Sequence, residues 1–238
     1  MPMQRNLAPT LAALALVALP FPVRAVPVEL RVDLERSHIF AITHGSSLFG
    51  AQGAEHAIVP THWTLSLCMD AEHPAAPGAS AELDIPVSGL ELDTEMARRL
   101  AGLSGTPAPA DVARLRARML GPGVLDAEHY PAAHFSARTI AHPSAAYPVI
   151  RGDVTLRGVS VPVAAAMDIT PAAEKRVHIV SHFPLTQSNF GIALETIKGM
   201  TEIADQFDVM IDLWATSTGK ACAAPAPPSP PKAPSQNR

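Results

Sequence analysis

Apolar residues recur at every second position in one stretch after another along this chain. Trp63, Leu65, Leu67 and Met69 alternate with His62, Thr64, Ser66, Cys68 and Asp70. Leu83, Ile85 and Val87 repeat the pattern, as do Val161, Val163, Ala165, Met167 and Ile169. Val177, Ile179, Ser181 and Phe183 alternate with His178, Val180 and His182, and Phe207, Val209, Ile211 and Leu213 with Asp208, Met210 and Asp212. A period of two sends successive side chains to opposite faces of a strand, so each stretch has one apolar face to bury. Val28 to Thr43 alternates, turns and alternates again, which describes a hairpin. The residues alone therefore specify a β-rich domain, and the periodicity does not say which strand face points inward.

The two ends of the chain differ from this middle. Arg5, the apolar run from Leu7 to Leu19 and Val23-Arg24-Ala25 have the order of an export signal with cleavage after Ala25. The run is too short for the ~20 apolar residues of a membrane span, and no cysteine follows the cut to carry a lipid anchor. The expected mature protein is soluble, exported and periplasmic, with no transmembrane segment. From Ala221 the sequence is Pro, Ala, Ser and Lys, a composition that cannot bury a core. The expected organisation is a signal peptide over 1–25, one domain over 26–220 and a disordered tail over 221–238. The formal net charge is −4 and no basic patch stands out, so nucleic acid is not an expected partner. A homodimer is compatible with the sequence. Of the two cysteines, Cys68 reads as a small strand residue and Cys222 as the edge of the tail. Export would permit a bond between them.

Between Leu92 and Gly123 the alternation stops. Asp93 or Thr94 can cap a short helix carrying Met96 and Leu100, ended by Gly102. Pro109 opens a second helix with Val112, Leu115 and Met119 as its apolar stripe and Asp111, Arg114 and Arg118 as its wet face. A connection this long is either a plug over one end of the domain or a lid.

Leu125 to Val163 is the most distinctive stretch. It runs Leu125-Asp126, Tyr130-Pro131 and Phe135, then after a Pro143–Pro148 turn cluster Gly152, Leu156, Gly158, Val159, Pro162 and Val163. These residues, in this order and spacing, resemble the signature of the YceI-like family. Asp33, Phe40, Ile42 and His44 resemble the family's opening strand, with Ser37-His38 where the family has His-Ser, and Ser47 to Gly50 follows its next turn loosely. Leu185 to Ile192 resembles a later motif with Asn189 in place of Asp, and Arg116 to Leu120 resembles a run found in one subgroup. The resemblance implies a lipocalin-like, antiparallel up-and-down β-barrel of about eight strands with a helix-containing crossover. It implies that the protein binds, sequesters or carries a long apolar amphiphile such as a polyisoprenoid or isoprenoid quinone, and is not an enzyme. By motif position and strand face, Phe40, Trp63, Leu65, Met119, Phe135 and Phe190 are the expected ligand-binding residues. No cofactor is expected beyond a bound isoprenoid or other lipid.

Two other readings rest on the residues themselves. Apolar strand faces usually pack into a filled core, and only the resemblance favours a pocket. Ten histidines invite a metal-dependent or hydrolytic enzyme built across strands. His178 and His182 are far apart for one ion along a strand that rises ~3.3 Å per residue. His38, His44, His56 and His62 lack ligand spacing, and neither a Gly-x-Ser-x-Gly elbow nor a phosphate loop is present. No catalytic or metal-binding residue is therefore assigned.

Overall fold

In the computed structural model, which describes residues 26–45, 55–73, 78–141, 148–193 and 203–222, the alternating stretches become eleven strands of one antiparallel sheet. The expected signal peptide, Ser47 to Gly50, most of the Pro143–Pro148 cluster and the tail beyond Cys222 lie outside these residues. The strands are β1 (Val28–Val32), β2 (His38–Gly45), β3 (His56–Pro60), β4 (Thr64–Met69), β5 (Ser80–Pro86), β6 (Leu90–Leu92), β7 (Ala132–Ala141), β8 (Val149–Leu156), β9 (Val159–Ala172), β10 (Arg176–Thr186) and β11 (Ile203–Ala221). Two helices, α1 (Glu95–Leu100) and α2 (Pro109–Leu120), fill the interval where the alternation stops.

The sheet closes because β1 pairs with both β4 and β11, giving a ring of eight strands in the order β1, β4, β5, β7, β8, β9, β10, β11. Closure removes the exposed edges of an open sheet. The remaining three strands lengthen three staves of the barrel. Beyond β1, β2 runs on along β11; β3 pairs with β2, and β6 with β3. Two of the breaks between such halves are bridged by local hydrogen bonds. Across the first, the Ser37 hydroxyl donates to Trp214 O at 3.3 Å and accepts from Trp214 N at 2.9 Å, replacing the missing ladder bonds to β11. Across the second, Thr61 N donates to Gly89 O at 2.9 Å.

The distinctive stretch from Leu125 to Val163 owes its spacing to turn chemistry. Arg157 and Gly158, both at positive φ (51° and 73°), form the two-residue turn between β8 and β9, and that geometry matches the twist of a hairpin. A side chain at Gly158 would also strike the Tyr130 ring, 2.7 Å from an ideal Cβ. Arg157 then ties three loops together by donating to Gly191 O at 2.6 Å and Pro122 O at 2.9 Å. Gly152 faces the bulged register of β7, where a Cβ would run into Ser136 O.

The two ends of the barrel are built differently. At the end holding β1, Leu30, Leu67, Met69, Val177, Ile179, Leu213 and eight neighbouring small or apolar residues form a packed floor. There Cys68 and Cys222 are joined in a disulfide with Cα atoms 6.2 Å apart, contrary to the expectation of an unpaired strand residue and a loose tail. Cys222 N also donates to Pro27 O at 3.0 Å, so the strand and its anchor reach past residue 220. At the other end lie α1, α2 and the segment leading into β7.

Both helices form as the caps indicate, with Thr94 Oγ1 accepting from Ala97 N at 3.1 Å and Pro109 opening α2. The face assignments need correction. On α1 the buried residue is Ala97, with Leu100 packed beside it against the cluster on β2 and β3, while Met96 is 43% exposed. On α2 the charged side chains do not simply face water: Asp111, Arg114 and Arg118 border the barrel opening.

Candidate ligand cavity

Inside the barrel, above the packed floor, is a cavity of about 1190 Å³. Ordinary small-molecule sites occupy ~300–1,000 Å³. Its origin is legible residue by residue. Inner-facing positions that could carry bulk carry alanine: Ala41, Ala79, Ala81, Ala133 and Ala165 all border the space. Larger apolar groups, including Leu65, Leu83, Ile85, Phe135, Val154, Leu156, Phe183, Leu185, Phe207 and Val209, form the remaining wall. Leu83, Phe135 and Val154 lie side by side in register on β5, β7 and β8. On β4, β5 and β7 to β10 the inward face is thus the apolar one, and side chains do not fill the space it encloses.

Of the residues expected to bind ligand, Leu65, Met119 and Phe135 border the cavity. Phe40 also touches it, but its side chain belongs to a cluster with Ala57, Val59 and Ala97, packed with Met210 beneath α1 on the outer side of the sheet. Trp63 and Phe190 do not line it. Trp63 follows a break in its stave and packs partly buried against the floor. Phe190, fully buried, packs among Ala165, Phe183, Leu185 and Ile192, which themselves border the cavity. Alternation identified the right strands, but at the stave breaks and turns it does not fix where a ring points.

The mouth is rimmed by α2 and by Val124 and Leu125, both of which border the cavity. Arg116 moors α2 to the barrel by donating to Leu90 O at 2.8 Å and Ser88 O at 2.7 Å. Beside it sits a polar cluster that sequence reading did not find. The Asp93 side chain is wholly buried. Its Oδ2 lies 2.6 Å from His56 Nδ1, and its Oδ1 accepts from Ala57 N at 3.1 Å and Arg98 Nη1 at 2.9 Å. Arg98 also donates to Gly105 O at 2.8 Å and to Ser104 O. Burial alone would raise the Asp93 pKa. The hydrogen bonds from His56, Ala57 and Arg98 outweigh it and hold the carboxyl below its ordinary value. Asp93 sits at φ 51°, a left-handed conformation that Asp tolerates better than most residues.

Several of the other histidines pair with carboxylates. His44 spans Glu55 at 3.0 Å and Asp208 at 2.8 Å, and His182 reaches the same Asp208 at 3.4 Å. His178 meets Asp212 at 2.7 Å and stacks on Trp214, which Arg36 covers from the other side. His134 lies between Glu82 and Asp84. Among the described residues, no three His, Cys, Asp or Glu side chains converge as a metal site, and no helix is long and apolar enough to cross a membrane.

Comparison with known proteins gives a consistent picture. The family model for the YceI-like domain matches residues 30–215. The fold is similar to that of Burkholderia cenocepacia BcnA, with a TM-score of 0.58 at 20% identity over 78% of this chain and 100% of that one. Campylobacter jejuni YCEI protein superposes with a TM-score of 0.54 at 14% identity, covering 73% of this chain and 92% of that one. A polyisoprenoid binding domain from Saccharophagus degradans gives 0.50 at 11% identity, over 81% and 99%. No curated protein sequence matches the chain.

Proposed function

Because the chain belongs to the YceI-like family, we propose that its barrel binds and carries a long apolar amphiphile, of the polyisoprenoid or isoprenoid-quinone class, without making or breaking a bond. The observation that carries this reading is the cavity of about 1190 Å³ with its apolar wall. Burying a lipid chain contributes ~0.8 kcal/mol per CH₂, so a long tail needs few polar contacts for tight binding. The polyisoprenoid-binding description of the Saccharophagus relative supports the choice of ligand class. Export to the periplasm is part of the proposal. The leader-like first 25 residues support it, and so does the Cys68–Cys222 bond, since disulfides persist in oxidising compartments.

Lipid extraction of the purified protein followed by mass spectrometry tests the reading. The expected result is a stoichiometric isoprenoid or other long-chain lipid. An Ala165→Phe variant, which narrows the space, should fold and retain less lipid. Folded wild-type protein that carries no lipid and takes up none from solvent-delivered prenol would overturn the carrier reading. Mass analysis of the exported protein should find a mature terminus near Val26; an intact Met1 on cytosolic protein would refute the export claim.

A further inference from the structure

Almost every ionisable side chain that borders the cavity is already held by a partner. Glu55 pairs with His44, His56 with Asp93, and Arg98 with Asp93 and two backbone carbonyls. His134 lies between Glu82 and Asp84, Asp205 accepts from Ser188, and Asp111 pairs with Arg114 at 2.8 Å. Arg118 is the exception. It is half-buried and borders the cavity, yet among the described residues its side chain has no hydrogen bond, ion pair or ring contact. A guanidinium stays charged at any ordinary pH and can only donate, through N–H groups set in a planar fork. The Thr43 hydroxyl also lacks a partner among the described residues, but it has essentially no accessible surface and offers a ligand nothing.

The surroundings of Arg118 follow from the helix period. Asp111, Arg114, Leu115, Arg118 and Met119 are the α2 residues that border the cavity, and steps of three and four along a helix share one face. Arg116, on another side of α2, fixes the rotation of the helix through its bonds to Leu90 O and Ser88 O. The face presented to the mouth is therefore half apolar and half basic. Leu115 and Met119 continue the cavity wall, and Arg114 and Arg118 stand one turn apart beside them. Like charges at that spacing disfavour a helix. A cation in the last turn suits the helix dipole, which accounts for Arg118 but not for Arg114 in mid-helix. The Arg114 and Asp111 side chains are 68% and 51% exposed, and pairs so exposed hold weakly, so Arg114 can turn to a second acceptor. We propose that Arg118, assisted by Arg114, forms an anion subsite at the mouth, and that the cavity selects amphiphiles ending in a phosphate-type anion over neutral alcohols and quinones with the same tail. Such a ligand lays its tail along the apolar wall and leaves its charge at α2. A phosphate offers oxygens for both forks, whereas a carboxylate is filled by one. This inference rests on the carrier reading above and adds the chemistry of the ligand's polar end.

Delipidated protein, loaded with the neutral fluorescent probe N-phenylnaphthylamine, would be titrated at low salt with geranylgeranyl phosphate, geranylgeranoic acid and geranylgeraniol. The phosphate should displace the probe at about tenfold lower concentration than the alcohol, the usual gain of hydrogen bonds to a charged group, with the acid between them. Arg118→Gln keeps a polar, helix-forming residue. It should bring phosphate and alcohol together while leaving the alcohol's affinity and the melting temperature close to wild type. Arg114→Gln should weaken the phosphate several-fold. Arg99→Gln, at an exposed arginine of α1 that does not border the cavity, should change nothing. Equal displacement by phosphate and alcohol, an undiminished phosphate advantage in Arg118→Gln, or an equal loss in Arg99→Gln would overturn the subsite and leave the carrier reading standing. Tighter binding of the acid than of the phosphate would also overturn it. So would equimolar inorganic phosphate erasing the advantage of the ester, since the arginines would then serve the free anion. Failure of the probe and of every prenyl compound to bind would sink both.

Discussion

The floor and the mouth of this barrel are made of the same eight staves but follow opposite rules. At the floor the strands are continuous, the inward side chains interlock, and a covalent bond ties β4 to the end of β11. At the mouth three staves are broken, alanines leave space, and closure is delegated to helices held by a few directed hydrogen bonds. The difference separates two jobs. The floor is covalently and apolarly tied where nothing has to enter, while a buried carboxylate and an unpartnered hydroxyl lie at the end that a ligand would use. Elements that open for a ligand are drawn from the less stable parts of a fold.

This contrast can be broken most forcefully at the floor. Cys222→Ser should lower unfolding stability by about 4 kcal/mol, since the bond closes a loop spanning most of the domain. Chemical denaturation would measure it, and lipid retained per folded molecule should stay unchanged. A loss of lipid in proportion would mean the ends are not separable. At the mouth, Asp93→Ala leaves Arg98 and His56 without their shared partner and should cost about 3 kcal/mol. Here retention should fall too, and hydrogen exchange should rise in α1 and β3 while the floor strands stay protected.

Phe135→Leu sharpens the comparison from within the wall. As a nearly volume-conserving change it should cost under ~1.5 kcal/mol, yet weaken retention of a bound chain, because the ring faces the cavity between Leu83 and Val154. Phe135→Arg should abolish binding, since the pocket cannot solvate the charge. A lowered melting temperature with unaltered retention would take Phe135 out of the site.

The smallest effect is a dependence on pH at the outer rim. Hydrogen bonds from His44 to Glu55 and then to Asp208 raise the His44 pKa above 6.5, against a smaller opposing effect of burial. A raised folded-state pKa means the stabilisation is complete below about 6.5 and is lost as pH rises through the folded value. His44→Gln should therefore narrow the gap to wild type as melting curves are taken from about pH 6 to about pH 8. A gap that widens with pH would contradict the pairing. Asp208, whose pKa burial would raise but His44 and His182 hold low, gives the opposite trend on the acid side.

The strands were legible because alternation is a local property: Leu65 and Leu67 announce their face without reference to any neighbour. The two-residue turn at Arg157-Gly158 and the caps at Thr94 and Pro109 were legible for the same reason. What sequence could not supply was partnership across the sheet. His56 and Asp93 are separated by 37 positions and meet only because β3 pairs with β6. Cys222 lies past the last alternating residue, where composition suggests a tail, and its bond to Cys68 follows from β1 bringing β4 and β11 within reach. Trp63 and Phe190 were assigned to the cavity as large rings in alternating or motif-bearing stretches, but one follows a stave break and the other sits in a 3₁₀ turn, where the period of two no longer holds.

The disulfide also changes what kind of object the polypeptide is. Joined at Cys68 and Cys222, the chain is a covalent ring with two free arms, and the ring carries both helices and every strand from β5 to β11. A protease that cuts any loop inside the ring produces a nicked molecule whose pieces cannot diffuse apart until a reductant arrives. A cut in the N-terminal arm, between β2 and β3, leaves β1 and β2 held by hydrogen bonds and packing alone. The same bond routes any pull on the C-terminal arm into β4, across the seam, before it can peel β11 from its neighbours.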